Sequence, residues 1–212
     1  MHFFTSPSNF LLVRVTNADK SAAASARRTQ IVAATITVIA EEGYGRASFA
    51  RIAERAGLSS TRLISYHFAG KDELITAAAN DVVSTIGTFM AEQLRDRDGA
   101  PARLRAYIEG VVGFIDTHRA QMKALMAILL GGGLNYDADA DRRVISPVEQ
   151  ILRDGQAAGE FGEFDPVIMA AVVQRAVDGL PFLLDSKPDL DCAHYAHELV
   201  ELFQAGTTRT LP

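Results

Sequence analysis

The segment AGLSSTRLISYHFAGKDEL, residues 56–74, concentrates hydroxyl, guanidinium and imidazole groups in a short piece of chain. Residues 59–62 place two serines, a threonine and an arginine in direct succession after Gly57 and Leu58. Small hydroxylated side chains and a guanidinium can enter the DNA major groove, which is about 12 Å wide, and hydrogen-bond to base edges there. These residue types therefore favour a surface that contacts DNA over a buried helix.

Arg62 is the strongest candidate for a base contact, because a guanidinium can bond to two acceptors of one guanine, a contact worth ~1–3 kcal/mol of discrimination. Thr61 can add a methyl contact to thymine or a hydroxyl bond, and Ser60 completes the polar side. Other polar side chains have the reach of phosphate contacts, which fix the register on DNA without reading sequence. These candidates are Arg46, Ser48, Ser59, Ser65, Tyr66, His67 and Lys71.

The aromatic residues Tyr66, His67 and Phe68 also permit a purely structural interpretation, in which they close the core of a small helical unit. We expect that role for Phe68. The polar tips of Tyr66 and His67, beside a basic turn, favour contact with the DNA backbone instead.

Short helices must position these groups. Apolar residues recur at three- and four-residue steps over residues 27–42, which predicts a first helix that Gly43 ends. Ser48 is placed to cap a second helix over residues 49–56, and Gly57 to end that helix in the left-handed conformation.

A third short helix is predicted from residue 59 or 60 to Tyr66, with Leu63 and Ile64 turned inward. Two short helices joined through a glycine turn, the second with exposed polar side chains, form a helix-turn-helix.

The remainder of the chain also has helical periodicity. A long fourth helix is predicted to begin near Lys71 and to end before Gly99, and further helices are predicted over residues 101–118, 120–131, 141–158, 165–185 and 189–206. No alternation typical of β-strands follows residue 20, so the chain is predicted to be all-α. We expect a flexible extension at residues 1–19, a helix-turn-helix DNA-binding domain at residues 20–70 and a larger helical domain at residues 71–212.

Composition and charge agree with a globular protein that presents one basic unit. Of 212 residues, 48% are hydrophobic and 22% charged, and the net charge is −5. Residues 20–75 hold eight basic against five acidic residues, a balance of +3 that suits a polyanionic partner. The single Cys192 excludes an internal disulfide, and neither a secretory leader nor an apolar run of the ~20 residues that a membrane span needs is apparent. We therefore expect a cytoplasmic protein.

The combination of G-Y-x-x-A-S, F-x-x-I-A-x-x-A-G-L-S, Y-H-F and K-x-E-L within residues 28–74 resembles the DNA-binding domain of TetR-type transcriptional regulators. The resemblance implies a ligand-responsive repressor that binds a palindromic operator as a homodimer through a second, helical domain. Two departures stand out: the spacing from Gly57 to Phe68 is one residue longer than the commonest family spacing, and Ser65 stands where the family often has a tyrosine. The alternative is an all-α module that binds a small molecule or a protein without binding DNA.

The second domain supplies aromatic and thioether side chains at helical spacing, which form either a solid core or a pocket for a small apolar or amphipathic ligand. The candidates for such a pocket are Phe89, Tyr107, Phe114, His118, Met122 and Met126. A dimer contact is expected within residues 165–206, where Tyr195, Leu199, Leu202 and Phe203 recur at three- and four-residue steps.

Enzymatic and metal-binding interpretations have little support in the sequence. Cys192 and His194 stand two residues apart and diverge on a helix, which leaves only His194 and His197 as a pair. We therefore expect no metal, no cofactor and no catalytic residues.

Overall fold

The computed structural model describes residues 17–134 and 138–208, and the predicted extension at residues 1–19 lies outside them apart from residues 17–19, which open the first helix. The helices are α1 (Asn17–Glu42), α2 (Phe49–Arg55), α3 (Arg62–His67), α4 (Lys71–Leu94), α5 (Ala100–Thr117), α6 (Arg119–Leu130), α7 (Ala138–Ala157), α8 (Pro166–Asp178), α9 (Leu180–Ser186) and α10 (Cys192–Thr207). A 3₁₀ turn, Tyr44–Arg46, links α1 to α2. The described residues contain no strand, which confirms the all-α prediction.

The N-terminal helices form where their local signals predict, except that α1 begins at Asn17, ten residues before the predicted start at residue 27. Ser48 caps α2, with its Oγ accepting the Arg51 N–H at 3.4 Å. Gly57 has φ +64°, a left-handed conformation that glycine adopts without a Cβ penalty, and the Leu58 N–H donates to the Ala53 carbonyl at 2.8 Å across this turn.

Helix α3 differs from its prediction in length and orientation. It begins at Arg62 because the Oγ of Ser60 accepts the Arg62 N–H at 3.1 Å, so the two serines precede the helix. Ile64 is buried as predicted, but the inward orientation predicted for Leu63 is wrong, since 37% of Leu63 is exposed. Ile64 and Phe68, four residues apart, already define the inner face.

The C-terminal helices enclose a larger core. The helix predicted over residues 165–185 is divided into α8 and α9 near Gly179 and Pro181, because proline has no N–H to continue the hydrogen-bond ladder. Helix α1 packs against α2, α4 and α6, and α4 packs against α5 and α6. Helices α1, α4 and α6 therefore join the N-terminal helices to the larger core.

Two helical segments, Lys71–Leu94 and Pro166–Ser186, have the length and apolar composition of a membrane span. Core helices of soluble proteins meet the same criterion, so these two segments are weak evidence for a membrane location.

Candidate DNA interface

Helix α3 presents three side chains on the side opposite its core contacts. Ile64 and Phe68 are buried, whereas Tyr66 is 82% exposed and Arg62 and Leu63 are also exposed. The Arg62 guanidinium has no hydrogen bond or ion pair with another described residue. We call Arg62, Leu63 and Tyr66 the α3 face; its arginine is free to bond an external acceptor.

The hydroxyl candidates lie at the start of α2, in the turn before α3 and within α3. The hydroxyl oxygen of Ser48 caps α2, and that of Ser60 accepts the Arg62 N–H in the turn before α3, so each O–H stays available to donate to a phosphate. Ser59, Thr61 and Ser65 are exposed, and Thr61 occupies the N-cap position of α3 without a side-chain cap bond.

Arg28 of α1 fixes the end of α3. Its Nη1 donates to the His67 carbonyl at 2.7 Å, its Nη2 bonds to Glu73 of α4 at 3.2 Å, and its Cζ lies 4.1 Å above the Phe68 ring. Glu73 also accepts the Ala69 N–H at 2.7 Å. This backbone hydrogen bond, followed by the Arg28 contacts, lowers the pKa of Glu73 below its ordinary value. Arg28 thus ties α1, α3 and α4 together at one point.

Both arginines of α2 are engaged within the protein. Arg51 and Arg55 of α2 pair with Glu42 and Glu41 of α1, respectively. These exposed ion pairs link α2 to α1 and occupy both guanidinium groups.

Of the cations predicted to contact DNA, Arg46, Arg62 and Lys71 have no carboxylate partner among the described residues. Arg62 is free, and Arg46 donates its Nε to the Glu42 carbonyl at 2.7 Å. The Nζ of Lys71 lies 5.1 Å from the centre of the Tyr44 ring. The positive charge predicted from the sequence is therefore retained at the 3₁₀ turn, at α3 and at the start of α4.

Tyr44 also connects the 3₁₀ turn to the end of α6. A β-carbon on Gly131 would collide with Cδ1 of the Tyr44 ring, and one on Gly133 would lie 2.8 Å from its Cε2. Only glycine permits so close an approach of the backbone to the ring. We call Tyr44, Lys71, Gly131 and Gly133 the Tyr44 contact.

The sequence indicates neither Arg28 nor the Tyr44 contact as part of the interface. Arg28 is predicted only as one of eight basic residues of the range 20–75, and no contact is predicted for Gly131 and Gly133, which stand at and after the end of the helix predicted over residues 120–131. Their partners are distant in the sequence, and side-chain spacing along one helix carries no signal for such contacts.

The six ligand candidates fall in three places. Phe89, Phe114 and His118 form an aromatic cluster, in which the Phe114 and His118 rings stack at 4.2 Å between centroids and the Phe89 and Phe114 rings meet edge-on at 5.5 Å. Tyr107 lies apart from this cluster, in a buried polar chain. Its hydroxyl donates to Oε1 of Gln174 at 2.6 Å, and burial raises the pKa of that hydroxyl.

Met122 and Met126 line a cleft of about 520 Å³ between α1, α6 and α9. Phe182 lines its opposite side, while Lys123 and Asp185 at its rim lie 3.4 Å apart. This cleft combines an apolar lining with a charged rim, a combination that suits an amphipathic ligand.

The C-terminal helices expose apolar side chains in the region predicted to dimerise. Val167, Ile168 and Val172 of α8 and Leu202 of α10 are exposed. Of the other residues predicted for this contact, Tyr195 and Leu199 are partly buried and Phe203 is buried in the core.

The metal-binding interpretation gains no support. Cys192 is buried, His194 and His197 are exposed, and the described part of the chain holds no group of three or more His, Cys, Asp or Glu side chains arranged for a metal.

The model of the family described as "Bacterial regulatory proteins, tetR family" matches residues 31–78. The HTH-type transcriptional regulator BetI of Escherichia coli (strain K12 / DH10B) is 34% identical over 163 residues, which is 76% of this chain and 80% of that relative. A putative TetR-family transcriptional regulator from Rhodococcus sp. has a similar fold, with a TM-score of 0.73 at 23% identity over 87% of this chain and all of that structure. FadR of Bacillus subtilis in complex with stearoyl-CoA gives a TM-score of 0.68 at 19% identity, covering 84% of this chain and 98% of that one.

Proposed function

The chain belongs to the tetR family of bacterial regulatory proteins, and we propose that it is a repressor that binds a palindromic operator as a homodimer and releases it when a small ligand binds. It is a DNA-binding transcriptional regulator and not an enzyme. In this proposal residues 20–70 bind DNA and residues 71–212 bind the ligand and the partner subunit.

The observation that carries the proposal is the free Arg62 on the α3 face. A guanidinium without an internal partner can make the two-point contact with guanine that the major groove offers. Tyr66, 82% exposed on the same face, projects a hydroxyl beyond the helix. Arg46 and Lys71 lie on the two flanking elements and supply the phosphate contacts that set the register.

The other proposed phosphate contacts complete the same surface. We assign this role to exposed hydroxyl groups before and within α3 and to the half-buried imidazole at its end, and the guanidinium of Arg28 fixes that end against α1. These residues are Ser48, Ser59, Ser65 and His67, whereas the hydroxyl groups of Ser60 and Thr61 are proposed to bond to bases beside Arg62.

We propose that the subunits associate through α8 and α10. Val167, Ile168 and Val172 expose apolar surface within two turns of α8, and Leu202 of α10 adds to it. Isologous pairing of such a surface covers it in both copies at once. The paired α3 helices then reach successive major grooves ~34–36 Å apart.

For the ligand we propose the cleft at Met122 and Met126. Its lining includes Ala40 of α1 and Leu130, the last residue of α6, so an occupant would lie between α1 and α6. Gly131 follows directly after α6. Displacement of α6 would shift Gly131 and Gly133 against the Tyr44 ring and so move the 3₁₀ turn and Lys71. A ligand acts only through its different affinities for the two arrangements, a coupling of typically ~1–3 kcal/mol.

Electrophoretic mobility shift with the DNA that flanks its own gene tests this function. We expect binding that falls steeply with salt, since phosphate contacts release counterions, and a shift that is lost when an apolar ligand found by thermal stabilisation is added. Absence of binding would favour a module that binds small molecules or proteins alone. If every ligand that stabilises the protein leaves operator affinity unchanged, the proposed ligand response is wrong and the proposed DNA binding still stands.

A further inference from the structure

The α3 face exposes an apolar side chain where hydrogen-bonding groups are expected. Within residues 21–70, Leu63 and Tyr66 are the only large hydrophobic residues that are exposed, and both lie on α3. The apolar residues that anchor α1 and α2, such as Ile31 and Ile52, are fully buried. Both exposed large hydrophobic residues of this range therefore lie on the helix that we propose to contact DNA.

Helical geometry places Leu63 beside the arginine that contacts DNA. Successive residues of an α-helix turn by about 100°. Relative to Tyr66, which points away from the buried Ile64 and Phe68, Arg62 lies about 40° to one side and Leu63 about 60° to the other. Leu63 and Arg62 therefore enter the same groove together.

Thr61 is less suited to an apolar contact at this position. It has helical backbone angles at the N-cap of α3. Continued along the helix, its direction lies about 140° from that of Tyr66. The apolar contact with a base therefore falls to Leu63.

The major groove offers one apolar group to such a side chain. Three of the four bases present only donors and acceptors there, and thymine adds its C5-methyl group. We propose that Leu63 is a specificity-determining residue that packs on a thymine methyl next to the base contacted by Arg62. This inference rests on the proposed operator binding.

The test begins with duplexes selected from a random pool by the full-length protein. In each half-site, every thymine is then replaced in turn by uracil, which removes the methyl group and leaves the hydrogen-bonding groups in place. We expect one position per half-site at which wild-type protein loses about fourfold in affinity, the effect of exposing one methyl-sized group.

Leu63→Ala is expected to bind the thymine duplex more weakly and to bind the thymine and uracil duplexes equally. Leu63→Met, which keeps an apolar side chain of similar volume, should still prefer thymine, and this variant separates loss of contact from loss of folding. Val83→Ala removes an exposed apolar side chain from α4, outside the DNA-binding domain, and should behave as wild type.

The outcomes distinguish this inference from the proposed function. If the wild-type protein binds every uracil-substituted duplex with full affinity, the proposed role of Leu63 is wrong and operator binding still stands. Equal thymine preference in wild type and Leu63→Ala would assign the methyl contact to another residue. Failure to select any duplex would overturn both proposals.

Discussion

A β-carbon added at Gly133 tests whether the Tyr44 ring holds the end of α6. It would lie 2.8 and 2.9 Å from two carbons of the Tyr44 ring and 3.0 Å from Cγ2 of Ile128. Overpacking of this kind costs about 1–3 kcal/mol. Reduced freedom of the unfolded chain offsets about 0.4–1 kcal/mol of that cost. We therefore expect Gly133→Ala to lower the free energy of unfolding by about 0.5–2 kcal/mol.

Removal of the ring should remove most of this cost. In a Tyr44→Ala background only the Ile128 contact remains, so the second substitution is expected to change the free energy of unfolding by less than about 0.5 kcal/mol. The difference between the two backgrounds is the coupling energy of a double-mutant cycle. Gly87→Ala is the matched control: its β-carbon would meet nothing within 4 Å on α4, and it should be neutral or stabilise by up to about 1 kcal/mol.

The assay is urea unfolding at one fixed protein concentration, because the stability of a dimer depends on concentration. The same proteins are then compared in operator binding, where Gly133→Ala should reduce affinity and Gly87→Ala should not. An equal cost of Gly133→Ala in both backgrounds would refute the Tyr44 contact, and unchanged operator affinity would refute its role in coupling α6 to the DNA-binding domain.

Four further predictions concern the interface, the acid stability and the dimer. Arg62→Ala should weaken binding to the selected operator by ~1–3 kcal/mol and relax the preference at one base position in a competition assay; an equal loss on every sequence would make Arg62 a phosphate contact. Arg46→Ala and Lys71→Ala should weaken binding to any sequence and each reduce the slope of log affinity against log salt by about one unit at most; an unchanged slope in both would place them away from DNA. Because the folded-state pKa of Glu73 is lowered, its contribution to stability is complete above its ordinary pKa of 4.5 and is lost as the pH falls. As the pH is lowered below about 4.5, the urea midpoint of Glu73→Gln should therefore fall less than that of wild type. An equal fall of the two midpoints with pH would contradict this. Ile168→Asp places a charge on the exposed face of α8 and should give a monomer in light scattering at micromolar concentration, whereas an unchanged mass would exclude that face from the dimer contact.

Local features of the fold are predictable from sequence because their signals are local. Ser48 caps α2 and Gly57 ends it with a positive φ, as their residue types and positions indicate. The start of α3 is less predictable, since Ser60 can either enter a helix or bond the backbone of a turn before it, and in the structure its Oγ accepts the Arg62 N–H in that turn. The break near Pro181 has a local signal, but proline is also tolerated in the first turn of a helix, so the sequence alone permits both interpretations.

The long-range parts of the site are not predictable from periodicity. Leu63 is apolar and at helical spacing, yet it is exposed because Ile64 and Phe68 suffice to anchor so short a helix. The glycines at 131 and 133 carry no sequence signal for the aromatic ring that lies against them. The candidate ligand residues lie in three different places in the structure. Their spacing along each helix could not predict this, because it does not specify which helices enclose a cleft and which pack into a solid core.

Operator spacing tests dimeric recognition most directly. In a selected palindromic duplex, insertion of 5 bp at the centre rotates one half-site by about half a turn relative to the other, since the DNA repeat is about 10–10.5 bp. Two α3 helices fixed ~34–36 Å apart cannot then engage both half-sites, so affinity should fall to the level of a single half-site. Insertion of a full turn restores the orientation of the half-sites but doubles their separation, so it should not restore the original affinity. Equal affinity for the original duplex and the 5-bp insertion, with one subunit bound per duplex, would contradict recognition of a palindrome by a homodimer.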